Sequence, residues 1–109
     1  MTFVYNFSDL RIAVRSKNAS EVKGLLLALG AFGQDFISTD DREWHVVITD
    51  KEHLNEIPDT IPRIVMTNDL IQNSKGPFIT TPQNINLVSL HESLKKVAEE
   101  HGVTDLEYY

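Results

Sequence analysis

The hydrophobic positions of this chain fall into short runs, separated by polar segments that contain its prolines. The central run is residues 45–50, His-Val-Val-Ile-Thr-Asp, in which β-branched residues follow one another. This pattern is typical of a strand buried on both faces, as in a parallel sheet covered by helices. Function in open α/β sheets lies at the carboxyl ends of the strands. Asp50, which ends this strand, is therefore the first candidate functional residue.

Three further strands, and an additional short edge strand, are predicted around this one. Residues 10–15 alternate apolar with basic or small side chains, and residues 63–67 form another buried run. Residues 78–80 predict a short edge strand inside a loop-like region. Residues 35–38 predict a second strand, but their connection to the central strand is too short for a helical crossover. Either the usual helix is reduced to a loop there, or this strand runs antiparallel.

Two amphipathic helices are predicted from apolar residues at helical spacing. The first begins at Asn18, with Glu21 as its capping-box partner, and ends at Gly30. The second begins at Ser89, which forms a second capping box with Glu92, and ends near residue 101. The expected core-facing residues of the two helices are Val22, Leu25, Leu26, Leu29, Leu90, Leu94, Val97 and Ala98.

Strand, helix, three strands and a final helix predict an α/β domain. We expect a three-layer sandwich with a mainly parallel sheet, two main helices and a long loop over residues 68–84. The domain is expected to span residues 10–101. Residues 1–9 are predicted to form an N-terminal arm or edge strand, and residues 102–109 a tail or a linker to a following domain.

The net charge of the chain limits the classes of partner that it can bind. Its 109 residues contain 16 Asp and Glu against 10 Lys and Arg, a net charge of −6. Without a basic stripe the chain is a poor candidate for direct nucleic-acid binding. An acidic surface suits a basic partner, and it also serves solubility. The absence of Cys excludes disulfides and thiolate metal sites. No apolar run has the length of a transmembrane helix.

Motifs for catalysis are missing from the sequence. The four histidines are scattered, and none pairs with another on a helix beside an acidic ligand. His53 lies near Asp50, but two surface residues after a strand is the ordinary explanation. There is no Gly-x-Ser-x-Gly elbow and no phosphate-binding glycine loop. We therefore expect no enzyme activity, no cofactor and no metal site.

Asp50 could still be a phosphoacceptor, and such an aspartate needs specific neighbours. It needs acids after the first strand to hold Mg²⁺, a Thr or Ser after the fourth strand, and a Lys after the fifth. Thr67 meets the second requirement. Arg15 and Lys17 stand where the acids should be, and residues 78–82 supply no Lys. We expect a structural role for Asp50, paired with Arg15 or Lys17 in place of a metal.

The first helix is apolar nearly all round, which is more than one buried face requires. Leu27 lies beside Lys23, next to a stripe of the small residues Gly24, Ala28 and Ala31. An exposed Leu beside a smooth stripe is typical of a protein-docking surface. The alternative is that both faces of the helix are buried, one on the sheet and one under the N-terminal arm.

Together these elements resemble a response-regulator receiver that has lost its acidic pocket. More narrowly, residues 11–15 (Arg-Ile-Ala-Val-Arg), residues 47–50 (Val-Ile-Thr-Asp) and the long loop after the fourth strand look like the α/β/loop (ABL) domains of the Rcs phosphorelay. The resemblance covers about residues 10–101. Such domains lie in the membrane kinase and in the phosphotransfer intermediate of the relay, and the intermediate is the preferred match.

The resemblance implies a non-catalytic module that helps recruit the Rcs response regulator for phosphotransfer by an adjacent histidine-phosphotransfer domain. It implies a membrane-anchored parent protein, with this domain on the cytoplasmic side of the bacterial inner membrane. In receivers the first helix meets phosphotransfer partners, which by position again indicates the Leu27 surface. Two alternatives remain: a phosphoreceiver that uses Asp50, and a purely structural spacer with Leu27 buried under the arm.

Overall fold

The computed structural model describes residues 2–4, 7, 10–37, 44–58, 60–69, 78–100 and 105–107. The sequence prediction of an α/β fold with two main helices is confirmed. Within the described residues the elements are β1 (Thr2–Val4), β2 (Ile12–Arg15), α1 (Ala19–Ala28), β3 (Gly33–Asp35), β4 (Val46–Asp50), a 3₁₀ helix (Lys51–Glu56), β5 (Arg63–Met66), β6 (Phe78–Thr81), α2 (Leu87–Glu100) and β7 (Asp105–Glu107).

Five strands form one parallel sheet in the order β3-β2-β4-β5-β6. Counted within this sheet the order is 2-1-3-4-5, the flavodoxin-like order of doubly wound folds. β3 pairs in parallel with β2, Ile12 opposite Gly33, so the antiparallel alternative is wrong. The strand begins at Gly33, two residues earlier than predicted, and ends at Asp35. The pairing with β2 continues one residue further, since the Phe36 N–H donates to the Val14 carbonyl at 3.1 Å.

One face of the sheet lies under both helices. Val46 and Ile48 of β4 point to this face because successive side chains of a strand alternate between the two sides. Val22 and Leu26 of α1 are fully buried against them, as is the apolar stripe of α2. The predicted core faces of the two helices are confirmed, with Leu25 and Leu29 packed at the margin.

The opposite face is covered by connecting segments. Phe36 and Trp44, from the connection between β3 and β4, pack with Val47 of the central strand. Ile57 and Ile61 come from the connection between β4 and β5 and complete this smaller core. The sandwich therefore has three layers, and in the described residues the third layer contains the short 3₁₀ helix and irregular chain.

Arg63 organises this third layer. It opens β5, is only 3% exposed, and lies opposite Val47 in the sheet register. Its guanidinium donates to the carbonyls of Pro58 at 2.7 Å, Ile61 at 3.1 Å and Ile57 at 3.4 Å. These carbonyls belong to irregular backbone, which needs such partners when it is buried.

The ends of the helices differ from the predicted capping boxes. Asn18 precedes α1 but its side chain makes no capping hydrogen bond, whereas Gly30 has the expected left-handed conformation at φ 77°. α2 begins at Leu87, and its box is formed by Asn86 and Ser89. Ser89 N–H donates to Asn86 Oδ1 at 2.9 Å, and Asn86 N–H donates to Ser89 Oγ at 3.1 Å. The predicted box of Ser89 and Glu92 is wrong because Ser89 is the third residue of the helix and not its cap.

A second, two-stranded sheet pairs β1 with β7 in antiparallel orientation. Thr2 lies opposite Glu107 and Val4 opposite Asp105. The segment predicted as a tail, residues 102–109, thus contains a strand, and the predicted arm contributes the other. The predicted long loop contains β6, as expected for an edge strand, while its residues 70–77 lie outside the described part of the chain.

Candidate functional site

A cleft of ≈ 330 Å³ lies at the carboxyl edge of the parallel sheet. Its walls come from the segments that follow four neighbouring strands, because the ends of parallel strands meet at one edge. Asp50, the first candidate functional residue of the sequence analysis, lies in this cleft. The lining residues are Ser16, Lys17, Asn18, Asp50, Lys51, Glu52, Met66, Thr67, Asp69 and Gln83.

The carboxylate of Asp50 has both oxygens engaged inside the protein. Oδ1 accepts the His53 N–H at 3.0 Å and lies 2.5 Å from His53 Nδ1. Oδ2 accepts the Lys17 N–H at 3.3 Å. The side chain is 13% exposed. Asp50 is therefore the N-cap of the 3₁₀ helix, and it also ties the segment after β2 to the end of β4.

These contacts set the charge of Asp50. Burial raises the pKa of its carboxyl, but hydrogen bonds from the His53 side chain, the Lys17 N–H and the His53 N–H outweigh burial. The pKa of Asp50 consequently lies below its ordinary value. At neutral pH the group is an anion that already has its hydrogen-bond donors.

The cations predicted to pair with Asp50 bind other acids. Arg15 forms an ion pair with Glu56 at 3.0 Å, and Lys17 Nζ lies 3.6 Å from the carboxylate of Glu52. The expected side-chain pair with Asp50 is wrong, since Lys17 reaches it through its backbone N–H. The two acids come from the 3₁₀ helix, which the sequence prediction did not connect with β2. Both pairs are exposed and contribute little stability.

Asp50, Glu52 and His53 place potential metal-ligand atoms within 4.8 Å of one another. The arrangement is explained by hydrogen bonding within the protein. Both oxygens of Asp50 accept hydrogen bonds, and the ammonium of Lys17 lies beside Glu52. The predicted proximity of His53 to Asp50 is thus a capping contact.

The opposite wall of the cleft is also internally bonded. The Thr67 N–H donates to the Thr81 carbonyl at 2.9 Å, and Thr67 Oγ1 accepts the Asp69 N–H at 3.0 Å. Gln83 N–H donates to Asn68 Oδ1 at 3.1 Å. Thr67 stands after the fourth strand of the sheet, as predicted, but its hydroxyl closes a turn. After β6 the cleft is lined by Gln83 and not by a Lys.

The predicted docking surface on α1 is exposed in part. Leu27 is 58% exposed, and Gly24 and Ala28 are exposed beside it. Lys23 pairs with Asp35 of β3 at 2.5 Å. Ala31 is fully buried in the core, so its assignment to this surface is wrong. The helix ends at Ala28 and the chain turns at Gly30, which removes Ala31 from the stripe.

A second exposed apolar region was not predicted. Leu87 is 43% and Val88 74% exposed at the start of α2. Together with Ile85 and Leu25 they line a groove between the two helices. The available signal was their position: they precede the apolar stripe of α2, and Val88 lies on the opposite side of the helix from Leu90.

Compared with models of protein families, with curated proteins and with solved structures, the chain matches none of them. Among the described helices, none combines the length and the apolar character needed to cross a membrane.

Proposed function

We propose that this chain is a non-catalytic interaction module of a bacterial two-component phosphorelay. It helps recruit the response regulator, so that a neighbouring histidine-phosphotransfer domain exchanges phosphate with it. The observation that carries the proposal is the state of Asp50, whose two carboxylate oxygens are held by Lys17 and His53. A carboxylate used as a helix cap is poorly placed to attack a phosphoryl group.

The strand order supports a relation to receivers, because their flavodoxin-like order is found here with Asp50 at the end of the third strand. The resemblance to the ABL domains of the Rcs relay is the basis for identifying the partner. The response regulator is the Rcs regulator, and the parent protein is anchored in the inner membrane with this domain on the cytoplasmic side.

The surface around Leu27 is the proposed docking site. An exposed Leu flanked by Gly24 and Ala28 offers a smooth apolar contact on α1. The ion pair between Lys23 and Asp35 supplies polar groups at the edge of this surface. Docking here can be weak. Once the response regulator is bound, its effective concentration at a neighbouring phosphotransfer domain of the same chain is in the millimolar range.

An NMR titration tests this proposal. The receiver and DNA-binding halves of the response regulator are added separately to the labelled domain. We expect shifts clustered around Leu27 with one of the halves, and their loss in Leu27→Gln. Ile37→Gln is the matched control, since Ile37 is similarly exposed at 55% but follows β3. Unchanged spectra with both halves at about 1 mM would overturn recruitment and leave the spacer.

The phosphoreceiver alternative is tested by incubating the domain with a small acyl phosphate and Mg²⁺. We expect no labelled protein, since the segment after β2 offers Lys17 and not an acid to the cleft. Mass spectrometry under acidic conditions, in which an aspartyl phosphate survives, detects any phosphorylated protein. Mg²⁺-dependent labelling that disappears in Asp50→Asn would replace the non-catalytic role with a receiver role.

A further inference from the structure

The groove between α1 and the start of α2 has a volume of ≈ 630 Å³ and mainly apolar walls. It is open to solvent, and its apolar side chains stay partly uncovered. Exposed apolar residues gathered around a concavity mark binding surfaces more often than scattered ones do. The residues that line it are Leu25, Ile85, Asn86, Leu87, Val88 and Ser89.

Leu25 and Ile85 pack at the margin of the core, whereas Leu87 and Val88 are largely exposed and do not belong to it. Leu90 and Leu94 carry the buried stripe of α2 and are fully buried. With 3.6 residues per turn, Val88 lies roughly 160° around the helix from Leu90. It therefore points away from the sheet, and no repacking of α2 on the sheet would cover it.

By helical spacing, the nearest charged residue on the groove side of each helix is acidic. Glu21 lies four residues before Leu25 on α1, and Glu92 lies four residues after Val88 on α2. Residues at this spacing are neighbours on a helix surface. Both acids are exposed. Lys95 and Lys96 lie about one turn further along α2 than Glu92, so an occupant meets the two carboxylates first.

We propose that this groove binds an amphipathic helix of a partner protein, with Lys or Arg flanking its apolar stripe. The apolar residues pack on Leu87 and Val88, and the basic residues face Glu21 and Glu92. Helix-in-groove binding is a recurring recognition mode, read by anchors at helical spacing. An extended peptide fits less well, since the walls are side chains of helices and offer no open strand edge.

Charge also argues against a second copy of the chain as the occupant. Each copy has a net charge of −6, so two copies would bring like charges together around the acidic rim. A basic helix gains attraction at the same rim. The chemistry of the groove thus favours a basic partner.

The proposal goes beyond the recruitment of a response regulator and is independent of it. Leu25 and Leu27 are two residues apart and lie roughly 160° from each other around α1. The groove and the Leu27 surface consequently face different directions. A partner can be lost from one surface while the other is intact.

The test uses the full chain and synthetic helical peptides of about 14 residues. One peptide has a Leu stripe flanked by Lys, a second has the same stripe flanked by Glu, and a third is the Lys peptide with its order scrambled. We expect methyl shifts at Leu25, Leu87 and Val88. The Lys peptide should bind at least roughly tenfold more tightly than the other two at low salt.

Two sets of variants sharpen the outcome. Val88→Ser should weaken the Lys peptide roughly tenfold without affecting folding, because the side chain is 74% exposed. Ile37→Ser is the matched control and should leave binding unchanged. The double variant Glu21→Lys with Glu92→Lys should transfer the preference to the Glu peptide.

Several results would overturn the proposal. Equal binding of the scrambled peptide, equal binding of the Glu peptide, or shifts that avoid the groove would each do so. Sedimentation velocity covers the remaining occupant: a dimer that Val88→Ser dissociates assigns the groove to a second copy and excludes the basic helix.

Discussion

The two faces of the parallel sheet are built differently although they share the same strands. Among the described residues, fifteen buried apolar side chains form the core under the helices and five form the core under the connecting segments. Helices bring their own backbone hydrogen bonds, whereas irregular chain must find partners for its polar groups. The smaller core is therefore held by a polar side chain, Arg63, as well as by apolar contact.

Replacing Arg63 by Met should have the largest effect on this difference. The carbonyls of Ile57, Pro58 and Ile61 would lose their donor inside the protein. We expect a loss of about 3 kcal/mol in the free energy of unfolding, because buried acceptors left without partners are costly. Urea unfolding measures the loss, and amide exchange should rise in residues 57–61 before it rises in the helices.

The matched control is Arg15→Met, which removes the same charge at an exposed position. Among the described residues, the Arg15 side chain forms an ion pair with Glu56, and both partners are exposed. Its replacement should change the free energy of unfolding by about 0.5 kcal/mol or less. Equal losses in the two variants would mean that charge, and not the three carbonyl bonds, explains the Arg63 result.

Val46 and Val47 offer a comparison within one strand. Both are fully buried, but Val46 faces the helices and Val47 faces the connecting segments. Val46→Ala should cost about 2–3 kcal/mol, because two packed helices collapse poorly onto a cavity. Val47→Ala should cost about 1 kcal/mol less, since irregular chain relaxes more easily.

Thermal and urea unfolding of the two valine variants measure this difference. Val14→Ala and Val65→Ala repeat the comparison on the neighbouring strands β2 and β5. A larger loss on the Val47 side would show that the connecting segments are the more rigid layer, which contradicts the comparison.

A smaller loss is expected for Asp50, which caps the 3₁₀ helix of the third layer. Its pKa is lower in the folded protein than the ordinary value of 3.8. The charged form therefore stabilises the fold above the ordinary pKa, and this contribution is lost as the pH falls through the lower folded-state pKa. Asp50→Ala should cost about 1 kcal/mol at neutral pH.

The pH dependence separates the charge from the cap. Between roughly pH 4 and pH 2 the wild-type chain should lose more stability than Asp50→Asn, which keeps a capping oxygen but no charge. Urea midpoints at several pH values provide the measurement. Parallel curves for the two proteins would show that the carboxylate gains nothing from its charge.

The sequence was sufficient for helices and strands marked by a periodic pattern, but not for the helix ends, where the predicted box of Ser89 and Glu92 is wrong. Continuous β-branched residues predicted β4, and helical spacing predicted the core faces of α1 and α2. Strand order and the direction of β3 depend on pairing between residues that are far apart in the chain. The same holds for the pair of Arg15 with Glu56, which lie 41 positions apart.

Only part of the candidate site could be predicted from the sequence, again because local features are predictable and long-range contacts are not. The position of Asp50 at a strand end was predictable, and so was the mismatch of its cationic neighbours with a metal pocket. Its capping of the 3₁₀ helix was also local, since His53 lies three residues on. Ala31 was misplaced because the helical stripe was extended through Gly30, where the chain turns.

The pairing of β1 with β7 has a mechanical consequence. Thr2, the first residue of β1, lies opposite Glu107, the last residue of β7. A force that separates these two residues would open the hydrogen-bonded pairs one after another, and would not shear all of them at once. A ribbon of two short strands is weak by itself. Under tension it would therefore unzip first, lengthening the chain before any load reached the parallel sheet.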